Sequence, residues 1–411
     1  VPERRRNYHG GRPAGQEKPM PVPFLDLKAQ YRQIADEVHH ELHEVMENAG
    51  FVLGPKVRSF EERFAALCGT RHCVALSSGT AAVHSMIWAA DLPPGSGIIL
   101  PPNTFTATAE GIVLAGHVPV FVDATRGSWN LCPQRTTAFL EENYRSGAPV
   151  DPRTGAVVRA LLPVDLYGQP ADYRAFEALA AQWELLLFED ACQAHAASLD
   201  GRMAGSFGNA AAFSFYPGKN LGAYGEGGAV TTDSDELAAR IRTLRDHGSS
   251  EKYFYSMIGH NYRMEAFQGA VLGVKLSFLQ EWTAQRREAA ARYGELLAGL
   301  PLELPAEIPG AVSVYHLYAV HTDRRNELAG FLKERGIGTG LHYPYPLHLQ
   351  KAYGYLGYEE GDFPVSEYNS ARNITLPMFP EITPAQQAEV AEAIRDFFRE
   401  AEGRNGPEHE A

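Results

Sequence analysis

The chain has 411 residues, enough for one large and one smaller domain with a sizeable core. Its formal net charge of −13 and pI near 5.6 exclude a general nucleic-acid binder, which needs a basic face to meet phosphates. The four cysteines, Cys68, Cys73, Cys132 and Cys192, form no CxxC pair and have no metal-ligand spacing, so they read as free thiols in a reducing compartment and no metal is expected.

Residues 1–20 are rich in Arg, Gly and Pro and almost free of apolar side chains, the composition of a disordered tail. No apolar run reaches the length of a membrane span and the N-terminus lacks a signal-peptide core, so a cytoplasmic protein without a membrane partner is expected. Val22 to Leu27 opens the ordered chain, and Ile34, Val38, Leu42 and Val45 follow at helical spacing. Pro55 to Leu67 predicts another helix, stopped by Gly69, so that 21–68 reads as an N-terminal helical segment. Val74 to Leu76 is a short strand, followed by Ser77, Ser78, Gly79 and Thr80 and a helical run from Ala81 to Ala90. Such a helix start offers free N–H groups to a phosphate; the same residues also suit plain N-capping by Ser78 or Thr80.

From Cys73 to Asp246 strands alternate with helical runs, the strands being Val74–Leu76, Ile98–Leu100, Pro119–Val122, Ala156–Leu162, Leu185–Phe188, Ala211–Phe215 and Ala229–Thr231. That alternation predicts an α/β fold: a mostly parallel central sheet with helices on both faces, in a large domain at 69–262. The strand at Leu185–Phe188 runs into Glu189, Asp190, Ala191, Cys192, Gln193, and ligand groups collect at such carboxyl ends. Asp190 there is either a helix N-cap or the acidic partner of a cofactor. Lys219 is the only lysine between Val57 and Glu251, although arginine is used freely over the same stretch. A lysine, unlike an arginine, can lose its proton when buried and form a Schiff base with a carbonyl. Pyridoxal phosphate needs such a lysine and an acid for its ring nitrogen, and Lys219 with Asp190 could supply the pair. A P-loop fits less well, because the upstream Gly is missing and Asn220 stands where that motif has Ser or Thr.

After His247 the pattern breaks into an aromatic-rich polar stretch that reads as an extended loop. Helical runs from Glu265 to Leu279 and from Ala284 to Leu300 lead into a smaller α/β domain at 263–402, followed by a polar tail at 403–411. That domain has a strand near Tyr315–Val320, a helix from Arg325 to Arg335, and a closing helix capped by Thr383 with Pro384 in its first turn. His342 and Tyr343 lie in a loop dense in polar aromatics, either a Pro-braced turn or a substrate contact. Arg263 serves either an anionic group or a structural salt bridge.

The segments SSGTAAV at Ser77, PPNTFTAT at Pro101, FEDACQAH at Phe188, FSFYPGKNLGAYGEGGAV at Phe213 and GHNYRMEAFQGAV at Gly259 come in one order. Together they resemble the signatures of the DegT/DnrJ/EryC1/StrS family of pyridoxal-phosphate-dependent sugar aminotransferases of fold type I. The resemblance runs from Val22 to the closing helix, and VPFLDL is similar to the opening of the branch that acts on 3-keto nucleotide sugars. It implies Lys219 as the Schiff-base lysine, Asp190 as partner of the pyridine nitrogen and Gln193 as neighbour of the ring's phenolic oxygen. Ser78, Gly79, Thr80 and Ser214 would hold the phosphate, Phe105 would stack on the ring, and Asn261 would reach the phosphate of a neighbouring subunit, making the protein a homodimer with shared active sites. His342, Tyr343 and Arg263 would meet substrate. The implied reaction moves an amino group from L-glutamate to a keto group, at C3, of a dTDP- or UDP-linked sugar by a ping-pong mechanism. A cyclitol ketone is an alternative acceptor. Related sugar dehydratases typically carry histidine in place of the lysine, and a non-catalytic regulator would have no need of the full cofactor set.

Overall fold

The structure, a computed structural model, describes residues 22–404. The tails expected at 1–20 and at the end of the chain lie outside the described residues, save the last helical turn.

Strands that are apolar on both sides must be covered on both sides, and the seven strands of the main sheet read that way. They are β1 (His72–Leu76), β2 (Gly97–Leu100), β3 (Val118–Phe121), β4 (Val158–Leu161), β5 (Leu186–Asp190), β6 (Ala210–Ser214) and β7 (Gly228–Thr232). Their spatial order is β1-β7-β6-β5-β4-β2-β3, with β7 antiparallel to both neighbours and the other pairs parallel. The helices of this part are α1 (Leu27–Gln33), α2 (Ala35–Glu47), α3 (Gly54–Cys68), α4 (Gly79–Ala89), α5 (Thr106–Leu114), α6 (Pro133–Glu142), α7 (Tyr173–Trp183), α8 (Asp235–Arg245) and α9 (Ala266–Leu276). Alternate residues of one strand face opposite layers. Val74, Leu76, Ala212 and Val230 pack with α4, α5 and α8, whereas Cys73, Ala75, Ala211, Phe213 and Ala229 pack with α3 and α9.

The second layer is aromatic. Phe64 of α3 is wholly buried, with its ring edge-on to Phe213 at 4.9 Å and Phe215 at 5.3 Å. These two residues lead into the Lys219 loop, so the layer fixes that loop from below. Phe64→Ala is expected to destabilise the protein by about 3–5 kcal/mol, the range for truncating a buried Phe. A lower denaturation midpoint at unchanged m-value checks this.

The chain expected to form the smaller domain is built on an antiparallel pair, β8 (Tyr318–His321) with β9 (Asn373–Leu376), and on α10 (Leu279–Leu296), α11 (Arg325–Glu334), α12 (Pro364–Arg372) and α13 (Pro384–Arg404). Thr383 and Gln386 form a reciprocal capping box at the start of α13: Gln386 N donates to Thr383 Oγ1 at 3.1 Å and Thr383 N donates to Gln386 Oε1 at 2.9 Å. Val390, Ile394 and Phe397 of α13 pack with Tyr293, Val320 and Ile374, and Val22 joins the same core through a parallel bridge to Ile337. The stretch after His247, expected as an extended loop, contains a hairpin that pairs Ser249–Glu251 with Phe254–Tyr255. Its aromatic residues Tyr253, Phe254 and Tyr255 are exposed. No helix among the described residues is long and apolar enough to cross a membrane.

Candidate active site

Asp190 is the last residue of β5 and is buried. Its Oδ1 accepts from Cys192 N at 3.2 Å, a local turn, while its Oδ2 accepts from Thr108 Oγ1 at 2.6 Å. No helix starts at Asp190, so the N-cap reading gives way to a turn: the side chain organises the chain just after β5 and is anchored by Thr108. Lys219 lies five residues past β6, the strand beside β5, and its N–H donates to Tyr216 O at 2.8 Å to close a tight turn. The next residue anchors that turn, since Asn220 Nδ2 donates to Val314 O at 3.1 Å and its Oδ1 lies 3.1 Å from His316 Nδ1.

Burial lowers the pKa of the Lys219 amine below the usual lysine value, opposed by Cys192 and Asp190. A neutral amine is the form that attacks a carbonyl. Three histidines surround it: His195, His316 and His342 are each pushed below the ordinary imidazole value, first by burial and then by the Lys219 charge, His195 to about 3 and His342 to about 4. Each is thereby held towards its neutral form. Burial likewise raises the Cys192 thiol well above its ordinary value, which keeps it protonated and unlike a nucleophile.

Ser78 is the N-cap of α4 and accepts from Ala81 N at 3.1 Å. The N–H groups of Gly79 and Thr80, in the first turn, have no carbonyl behind them. Gly79 lies so close to Ser214, the end of β6, that a Cβ on it would stand 2.6 Å from Ser214 Cβ. Across the same corner a Cβ on Gly228 would be 2.1 Å from Ser78 O. The strand end and the helix start thus converge on a spot with free donors, a hydroxyl and no room for extra carbon, the build of an anion cradle.

Gln193 is buried beside it: its Oε1 accepts from Tyr167 N at 2.6 Å and its Nε2 donates to Tyr343 OH at 3.1 Å. Tyr343 also places its ring 5.6 Å from that of Phe105, which is 52% exposed at the start of α5. The loop of the smaller domain therefore reaches the strand ends of the large one. His342 is held by Thr375 Oγ1 at 2.9 Å and stacks on Phe24 at 5.8 Å, so it braces the loop. Two expected residues stand apart within the chain. Asn261 is exposed, and Arg263 donates to Asp246, the salt bridge that the sequence allowed.

Sequence reasoning missed Thr108, Tyr167 and His316. Thr108 was inside a quoted motif, and its spacing from Thr104, 2.9 Å away in the bend before the helix, was the available signal. Tyr167 has φ of +62°, donates to His342 O and accepts from Asn369 Nδ2 at 3.2 Å, joining Gln193 to the loop of the smaller domain.

A mostly parallel sheet covered on both faces, with a buried-amine lysine and an acid at adjoining strand ends, defines a fold type I aminotransferase. Residues 32–395 match the DegT/DnrJ/EryC1/StrS aminotransferase family, and the chain belongs to it. It is 41% identical over 383 residues to the pleiotropic regulatory protein of Geobacillus stearothermophilus, covering 92% of this chain and 99% of that one. It is also 41% identical over 377 residues to dTDP-3-amino-3,4,6-trideoxy-α-D-glucose transaminase of Streptomyces venezuelae, covering 92% and 96%. Among solved structures, that of S. venezuelae DesV in complex with a ketimine intermediate superposes with a TM-score of 0.86 at 40% identity, covering 92% and 98% of the two chains.

Proposed function

We propose that the chain is a pyridoxal-phosphate-dependent transaminase that moves the amino group of L-glutamate to the C3 keto group of a dTDP- or UDP-linked sugar, working as a homodimer. The observation that carries this is the convergence of Lys219, Asp190 and the Gly79–Ser214 corner on one edge of the sheet. The residues fit the cofactor: an amine held below its usual pKa, a buried carboxylate, and a helix start whose first N–H groups are packed against the end of β6 with no room for a Cβ on Gly79. The name of the S. venezuelae relative supports the sugar and the carbon. The exposed Asn261 and the exposed aromatic hairpin before it support a shared site, since they leave polar and apolar surface for a second copy of the chain to cover.

Pyridoxal phosphate bound here supplies an aldehyde for the amino group and a ring that accepts electrons from the reacting carbon. Gly79 and Thr80 N–H groups, with Ser214, would hold its phosphate, Asp190 would hold the proton on its ring nitrogen, and Phe105 would cover a ring face. Lys219 Nζ binds the aldehyde at rest. Freed from it, the amine would act as the base that carries the glutamate α-proton to the former aldehyde carbon in the first half, and would carry a proton from that carbon to the sugar carbon in the second. Thr108 fixes the orientation of the Asp190 carboxylate, and the hydrogen-bonded pair Gln193 and Tyr343 would help to exclude water from the bound cofactor.

Gly79→Ala is expected to weaken cofactor binding by roughly 10- to 100-fold, the equivalent of an overpacking cost of about 1–3 kcal/mol. Titration of the apo protein with pyridoxal phosphate checks it. The function itself is tested by incubating the protein with L-glutamate and 3-keto dTDP- and UDP-sugars and identifying products by mass. A new amino sugar with 2-oxoglutarate supports transamination; release of ammonia without an amino sugar means elimination. The name of the G. stearothermophilus relative favours a regulatory reading, which predicts sugar binding and neither product.

A further inference from the structure

Behind Asp190 lie two more carboxyl groups, Asp165 and Glu189, both wholly buried. Asp165 Oδ1 accepts from Ala171 N and from Tyr173 OH, each at 2.9 Å, but its Oδ2 is buried with no N–H or O–H donor from another residue type. Glu189 uses both oxygens on backbone: Oε1 accepts from Gly205 N at 2.8 Å and Oε2 from Phe207 N at 3.1 Å. The two carboxyls share one pocket: Tyr173, which donates to Asp165, stacks on Phe207 at 4.3 Å, whose N–H donates to Glu189, and each carboxyl acts on the other as a hydrogen-bond partner. The titratable groups facing the pair are Tyr173 of α7, Asp190 of β5, Cys192 of the turn after it and Cys68 of α3, and none of these is a cation. Backbone ties Asp165 to the site, because its N–H donates to Asp190 O at 3.0 Å.

Adjacent carboxylates in a dry, cation-free setting cannot both ionise. Burial raises both pKa values, in Glu189 well above the ordinary range. An orphaned acceptor facing only another carboxyl is satisfied when one proton sits between them. We propose that Asp165 and Glu189 share a single proton between Asp165 Oδ2 and the Glu189 carboxyl, and that the pair acts as one fixed negative charge behind Asp190. That charge makes Asp165 and Glu189 positioning residues: an anion behind Asp190 favours positive charge in front of it. This second part rests on the reading that Asp190 meets a protonated ring nitrogen.

Asp165→Asn and Glu189→Gln each remove the shared proton yet leave one carboxylate, and the double variant leaves none. Infrared difference spectra of the cofactor-free protein at neutral pH are expected to show a protonated carboxylic acid band in the wild type that both single variants lose. Survival of the band in either single variant, or its absence from the wild type, overturns the shared proton. If one variant does not fold, the other carries the same comparison. With pyridoxal phosphate bound, the pH at which the ring-nitrogen proton is lost, followed by absorbance, is expected to stay near the wild-type value in the single variants and to move lower in the double variant. An unmoved midpoint in the double variant overturns the electrostatic role. Failure of the protein to take up pyridoxal phosphate at all strikes the functional reading and leaves the infrared result standing.

Discussion

Lys219→Ala is expected to lose transamination by at least roughly 10⁴-fold, the upper range for a general acid–base group alone, because the same amine also binds the cofactor. The fold should survive. Lys219 lies outside the hydrophobic clusters, and the contact that closes its turn is made by its backbone N–H to Tyr216 O. Lys219→Arg separates charge from chemistry: it restores a cation of similar reach that cannot act as an amine, so it should be equally inactive. Amino-sugar formation within a hundredfold of wild type in either variant would remove Lys219 from the mechanism.

Asp190→Asn should reduce kcat by about 10²- to 10³-fold, the cost of losing one preorganised electrostatic partner. The change is nearly isosteric. The oxygen that accepts from Cys192 N remains, and the new amide can donate to Thr108 Oγ1, so the turn after β5 is kept. What is lost is the negative charge. A fall in kcat with little change in KM for the sugar is expected, since in the proposed mechanism Asp190 acts on the reacting cofactor and not on the acceptor. Thr108→Val, which leaves the charge and removes only its anchor, should fall between wild type and Asp190→Asn.

The strands and their alternation with helices were legible because each strand is a short apolar run between turn residues. Sheet order was not, and neither was the antiparallel setting of β7, because both depend on pairings between distant segments. Lys219 stood out for a local reason, the absence of other lysines over nearly two hundred residues. Asp190 was visible as a strand-end acid, yet the turn it forms and its anchoring by Thr108 could be read only from its distances to Cys192 N and Thr108 Oγ1. Tyr167 could not have been found. A tyrosine at positive φ, bonded at once to Gln193 and to the His342 loop, leaves no periodic or compositional trace. The hairpin at Ser249–Tyr255 was hidden for a related reason, since its aromatic residues are exposed and show no buried alternation. The carboxyl pair of Asp165 and Glu189 is similarly silent in sequence, where Glu189 reads as one of two acids ending a strand.

The most direct measurement is the absorption spectrum of the protein with pyridoxal phosphate, before and after L-glutamate is added without any sugar. The account predicts a band of lysine-bound cofactor that gives way to the pyridoxamine form as 2-oxoglutarate appears. A bound-cofactor band that glutamate leaves unchanged, or no band at all, would contradict it.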